Sequence, residues 1–179
     1  MFAGWATSKD GTKVYNDEAS VKNLTTENNK TITLYAVWEL VAKIKEYEEE
    51  NGIILNVIDN TKVVDYLKHF EYGDLEVKVY NKNNELLTND NLLGTGSKVQ
   101  FIRDSKVLEE YINVVIGDTT GDGEVKINDV ALLYKYVKGK DTMSELSKKA
   151  GNVVKDNQII ITDVAKIYKY IKNKIEKLD

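Results

Sequence analysis

Hydrophobic and polar positions change rhythm twice along this chain. Residues 31–38 alternate Ile32, Leu34 and Ala36 against Thr31, Thr33, Tyr35 and Val37, the period-two pattern of a β-strand, here ending on Trp38. Residues 42–47 and 53–58 read as two strands joined across Asn51-Gly52, although Glu and Lys also leave a helix open over 40–50. Asn60 or Thr61 then caps a helix reaching Phe70, with Val63, Val64, Leu67 and Phe70 at helical spacing. Residues 75–80, 98–102 and 108–116 return to strand alternation. Beyond them the period switches for good. Val130, Leu133, Tyr134 and Val137 stand at i, i+3, i+4 and i+7, an amphipathic helix with one buried stripe, and residues 142–150 read as a short connecting helix.

The predicted class is α+β and multi-module: a small β-rich part over 1–39, an antiparallel sheet with one helix over 40–116, and an all-α part over 117–179. Composition fits globular modules, with 42% apolar and 30% charged residues. A formal net charge of −4 gives none of the basic footprint that nucleic-acid binding needs. The absence of cysteine excludes disulfides, thiolate metal sites and a cysteine nucleophile. No apolar run is long enough to span a bilayer and no signal peptide is visible, so membrane insertion is not expected.

The chemistry concentrates in residues 118–129. Counted from Asp118, the carboxylates Asp118, Asp122 and Asp129 fall at positions 1, 5 and 12, Thr120 at 3, Gly123 at 6 and Glu124 at 7. A twelve-residue calcium loop needs side-chain oxygens at 1, 3 and 5, a backbone carbonyl at 7, a sharp turn at 6 and a closing carboxylate at 12. The competing reading is an acidic, glycine-rich turn ahead of a helix, which does not explain the spacing. No helix enters this loop, because residues 108–116 alternate like a strand, so the unit is a loop plus its exit helix.

That unit recurs after thirty-four residues: Gly117, Asp122, Asp129, Val130, Ala131, Tyr134, Lys135, Tyr136 and Lys138 return as Gly151, Asp156, Asp163, Val164, Ala165, Tyr168, Lys169, Tyr170 and Lys172. A fixed-offset repeat means two copies of one supersecondary unit. The duplicated loop-helix resembles a type I dockerin, the calcium-binding module that docks onto cohesin domains. The resemblance implies calcium ligands in each copy, Asp118, Thr120, Asp122, Glu124 and Asp129 in the first and Asn152, Asp156, Gln158 and Asp163 in the second. It departs from the family at Thr120, where asparagine is usual, and further in the second copy. There Asn152 replaces an aspartate, Val154 offers no side-chain oxygen and Asn157 replaces the turn glycine. Affinity follows the number of charged ligands, so one Ca2+ site is expected, with a second, weaker one left open.

The resemblance further implies a cohesin partner, contacted by positions 10 and 11 of each loop and the outward helix faces. Here these are Ile127, Asn128 and Lys135, then Ile161, Thr162 and Lys169; the alternative for Ile127 and Ile161 is intramodular core. A weakly charged calcium loop fills where calcium is abundant, which points to an extracellular or cell-surface setting, with the export signal expected upstream of this fragment.

Two further resemblances precede the repeat. The start at Phe2, Gly4 and Trp5, the Asn23-Leu24-Thr25 step and the ending Leu34-Tyr35-Ala36 with Trp38 are similar to the second half of a Listeria–Bacteroides, or internalin B-type, repeat. Trp5 and Trp38 suit core packing better than carbohydrate stacking. The Gly94-Thr95-Gly96 segment, feeding a strand that runs into the calcium loop, looks like that of dockerin-associated modules in bacterial surface proteins. It lacks the third glycine and the helix of a dinucleotide loop, and is read as a turn. His69 is the chain's single histidine and has no catalytic neighbours in sequence; residues 46–50 are an acidic solvated face. No catalytic constellation emerges. The expected role is non-catalytic anchoring of a larger protein through cohesin, with two alternatives: a structural stalk with degenerate loops, or the targeting tail of an upstream hydrolase.

Overall fold

The computed structural model describes residues 2–38 and 42–178, so the 39/40 boundary expected from sequence lies outside the described residues. The chain forms two compact units, Met1–Val41 and Ala42–Asp179. In the first, β1 (Phe2–Ala6) pairs antiparallel with β2 (Tyr35–Trp38). Only the last four residues of the strand expected over 31–38 are extended into a ladder. Phe2 stacks edge-on against Trp5 and Trp38 at 5.1 and 5.6 Å. The expectation that Trp38 supplies buried area is corrected: it remains 70% exposed, because a two-stranded ribbon has no second layer to cover both of its faces.

The second unit begins with β3 (Lys43–Ile44), β4 (Glu48–Glu50) and β5 (Ile53–Val57). The single strand expected over 42–47 is thus broken: β3 pairs with β6 (Phe70–Glu71), while β4 folds onto β5 across the Asn51-Gly52 turn. The next element, α1 (Val63–Tyr66), is one turn followed by a 3-10 turn over Leu67–His69, shorter than the helix expected to reach Phe70. Its first two amides are satisfied by the carbonyls of Asn91 and Asn89, so the loop over residues 89–91 acts as its cap.

With β7 (Glu76–Tyr80), β8 (Lys98–Arg103) and β9 (Lys106–Val115), the main sheet runs β4-β5-β9-β8-β7. It is mostly antiparallel, as expected, but one pair, β5 and β9, is parallel. Alternation of residues reports a strand but not its direction. A parallel pair demands a long crossover, and the connection from β5 to β9 supplies one by carrying α1, β7 and β8. Ile54, Val57, Val79, Val99 and Phe101 from the sheet, with Tyr66 and Phe70, form one hydrophobic core. Inside it the Tyr66 hydroxyl bonds the Asn113 side-chain oxygen, and Asn113 donates in turn to Ser97.

The chain then passes from β9 through a loop over residues 116–126 into α2 (Ile127–Val137), followed by α3 (Glu145–Gly151) and α4 (Ile161–Ile171). Helices α2 and α4 pack together over a second core in which Leu133 and Ile167 are fully buried. Tyr134, expected on the buried stripe, is instead 44% exposed. The stripe is narrower than its spacing suggested: Val130 and Leu133 are its buried apolar members. The Tyr170 hydroxyl reaches back to Asp59 in the β5–α1 loop at 2.8 Å.

Replacing Tyr66 by Phe strips a buried acceptor of its donor, and should lower stability by about 1–3 kcal/mol in urea unfolding followed by circular dichroism. Burial and the bond to Asp59 push the Tyr170 hydroxyl up to about 12 from an ordinary value of 10.0. The folded state therefore binds this proton more tightly than the unfolded state does. Its contribution is complete below about pH 10 and is lost as pH rises toward 12, a slope that Tyr170→Phe should reduce in pH-dependent melting.

Candidate metal centre

The first loop closes on itself through its own carboxylates. Asp118 is fully buried and accepts four backbone N–H groups: Gly121 at 2.6 Å and Asp122 at 3.2 Å on Oδ1, Gly123 at 3.0 Å and Thr95 at 2.9 Å on Oδ2. Burial pushes its carboxyl above the usual range, against the pull of these N–H donors, and the neighbouring Asp129 pushes it the same way as burial. Asp129, also fully buried, has two duties. Its Oδ2 accepts the Lys126 N–H at 2.8 Å and so caps the start of α2, while its Oδ1 accepts the Thr120 N–H and hydroxyl, each at 2.9 Å. Asp122 is exposed and opens the cluster to solvent.

Carboxylate oxygens of Asp118, Asp122 and Asp129 lie within 4.8 Å of one another. Oxygens that share one calcium ion sit about 2.3–2.6 Å from it, so ligands on opposite sides are separated by about 5 Å. The donor set, three hard carboxylates with a hydroxyl beside them, fits a calcium-type cation. Thr120 is brought to the cluster through Asp129. The Glu124 carboxylate is turned away into an ion pair with Lys126, and position 7 is left with its backbone carbonyl to offer. Gly123 turns at φ +86°, where an added Cβ would stand 2.7 Å from the Leu93 carbonyl oxygen. This close backbone approach is open to glycine alone.

The second loop repeats this hydrogen-bond framework with fewer charges. Asn152 Oδ1 accepts the Lys155 N–H at 3.1 Å, Asp156 Oδ1 that of Gln158 at 3.0 Å, and Asp163 those of Val154 and Ile160, both at 3.0 Å. Each has its counterpart thirty-four residues earlier. Asn157 holds the turn at φ +61° and Lys155 stands at +59° where the first loop has Gly121. Among the described residues, three acidic or imidazole ligands converge at the first loop and not here. The Lys166 ammonium bonds the Val153 carbonyl at 2.7 Å, an internal cation lying against this loop.

Residues 116–172 match the family model of the dockerin type I domain. The match covers less than half of the chain and supports a type I dockerin at its C-terminal end. No curated protein and no solved structure gives a match. Dockerins are non-catalytic modules that bind Ca2+ and cohesins, which agrees with the three-aspartate cluster.

Of the residues assigned to partner contact, Ile127, Asn128 and Lys135 on α2 and Ile161, Thr162 and Lys169 on α4 are all exposed, Ile127 at 61% and Ile161 at 51%. They are not core. Tyr134 and Tyr168 lie one or two turns further along the same helices, each beneath a lysine, Lys138 and Lys172, at 5.7 Å. His69 sits on the 3-10 turn and meets Glu46 at 2.8 Å, with no further catalytic group around it in the contacts seen. Sequence reasoning missed Thr95 and Lys82, whose ammonium bonds the Thr120 carbonyl. Spacing within the loop carries no trace of them, although the glycines on either side of Thr95 were a signal that backbone comes close there.

Asp163→Ala removes the acceptor for Val154 and Ile160 at the head of α4. It should cost about 1 kcal/mol in thermal unfolding, by the same amount in calcium and in chelator, if its duty is capping.

Proposed function

We propose that this chain is a non-catalytic, extracellular anchoring segment whose dockerin module is ordered by one calcium ion and binds a cohesin. The convergence of Asp118, Asp122 and Asp129 oxygens carries this reading. Asp118, Thr120, Asp122 and Asp129, with the backbone carbonyl of Glu124, form the ligand set. A bound ion supplies the positive charge that three gathered carboxylates otherwise lack. Asp129 then joins the site to the start of α2, so that whatever orders the loop also orders the helix that follows. The second copy, Asn152, Asp156, Gln158 and Asp163, keeps its shape through hydrogen bonds, and its two remaining carboxylates make it the weaker site.

The docking surface is the exposed rim of Ile127, Asn128 and Lys135 together with its repeat, Ile161, Thr162 and Lys169. Large aliphatic side chains at more than half exposure, at equivalent places in both copies, suit burial by a partner. The boundary near residue 116 coincides with the division between the two hydrophobic clusters of the second unit, which supports reading 40–116 as a dockerin-associated module. The first unit is read as part of a Listeria–Bacteroides repeat, in keeping with a surface protein. An extracellular setting also provides the calcium concentration at which so lightly charged a loop fills.

Calorimetric calcium titration of the full chain should give a stoichiometry near one, and the binding heat should vanish in the Asp118→Ala/Asp129→Ala double variant. No binding by the parent chain would remove the calcium mechanism. Against a panel of immobilised cohesins, Ile127→Asp/Ile161→Asp should abolish retention while leaving calcium binding intact; retention undiminished would place the docking surface elsewhere.

A further inference from the structure

The first loop is held from outside as well as from within. Three of the four N–H donors on Asp118 belong to the loop itself, but the fourth belongs to Thr95, in the connection between β7 and β8. Thr95 is itself fixed: its hydroxyl accepts the Val115 N–H at 3.1 Å and donates to the Val115 carbonyl at 3.2 Å, at the end of β9. Two other contacts come from the same side. Asn60 donates its N–H to the Gly123 carbonyl at 2.8 Å, and Lys82 bonds the Thr120 carbonyl. Loop positions 1 and 3 are therefore gripped from the β7–β8 connection, and position 6 from the β5–α1 connection.

The backbones also touch. A Cβ on Gly94 would overlap the carbonyl oxygen of Gly121 and stand 2.7 Å from its carbon and 3.0 Å from the Gly123 nitrogen. There is no room between the two segments for a side chain. In the second loop, the equivalent residue Asn152 accepts from Lys155 of its own loop.

We propose that the segment over residues 93–96 is a positioning element of the calcium site, and that calcium binding is thereby coupled to the fold of the sheet module. The inference rests on the calcium reading above. A buried carboxylate can keep its charge and its orientation only while its donors stay in place, and one donor here is delivered by a neighbouring module. The Thr95 hydroxyl is committed to Val115, so Thr95 acts on the site through its N–H on Asp118. Coupling of this kind is reciprocal, so the ion in its loop also steadies residues 93–96 and the strand that follows them.

The test uses the full chain and two readouts, calorimetric calcium affinity and hydrogen exchange of the sheet amides with and without chelator. Gly94→Ala changes no residue of the loop, yet should weaken calcium binding by roughly tenfold or more. Val79→Ala, in the core of the same sheet but away from the loop, serves as the comparison and should leave affinity within about twofold. In the parent chain, calcium should slow exchange at residues 93–97 and in β8, a result that does not depend on the variant folding. The proposal is overturned if Gly94→Ala binds calcium as tightly as the parent, if Val79→Ala weakens binding as much, or if calcium protects only residues 117–178. A parent chain that binds no calcium defeats the calcium reading and this coupling together, whereas calcium binding with an indifferent Gly94→Ala defeats the coupling alone.

Discussion

A carboxylate taken out of water must be given hydrogen bonds or a countercharge, and Asp118 is the place where this protein meets that demand. Leaving an ionised group buried and unpartnered costs several kcal/mol, enough to set the path of the chain around it. The left-handed turns at Gly121 and Gly123 exist because N–H groups must point inward at one carboxylate. The approach of Gly94 follows from the same need, since Thr95 can reach Asp118 only if nothing stands between the segments. Even so, Asp118 remains above its usual carboxylate range, so its hydrogen bonds do not fully offset its burial.

The two copies of the repeat separate shape from charge. Both keep the aspartate that caps the following helix, Asp129 and Asp163, and both keep it fully buried. What differs is the set of groups that would face an ion, where Asn152 and Val154 stand for Asp118 and Thr120. A loop of this type can therefore persist as a helix-capping device with fewer charged groups facing its centre. The Lys166 ammonium on the Val153 carbonyl shows a fixed side-chain cation in contact with that loop.

The parts of this structure governed by local spacing were legible in the sequence. The gathering of Asp118, Asp122 and Asp129, the helices after both loops, and the strands β5, β7, β8 and β9 follow from periodicity and from twelve-residue counting. The parts set by partners were not. Strand direction for β5 depends on where β9 arrives, the break between β3 and β4 on which neighbour each finds, and the exposure of Tyr134 on which side of α2 is turned to its neighbours. Thr95 belongs to the site by tertiary contact over more than twenty residues, and no local rule reports such a contact. Trp38 misled because large aromatic residues usually find cover, and a two-stranded ribbon offers too little.

The outer strand of the sheet has a further consequence. β4 is made of Glu48, Glu49 and Glu50, all exposed, and its only ladder partner in the sheet is β5. Among the described residues no strand pairs with its other side, and an open edge of this kind ordinarily recruits a stray strand from a neighbouring molecule. Three adjacent carboxylates, of which among the described residues only Glu50 has a countercharge, Lys149 at 3.4 Å, disfavour such an addition. Wherever many copies are crowded together, that acidic border favours their standing side by side without fusing into a common sheet.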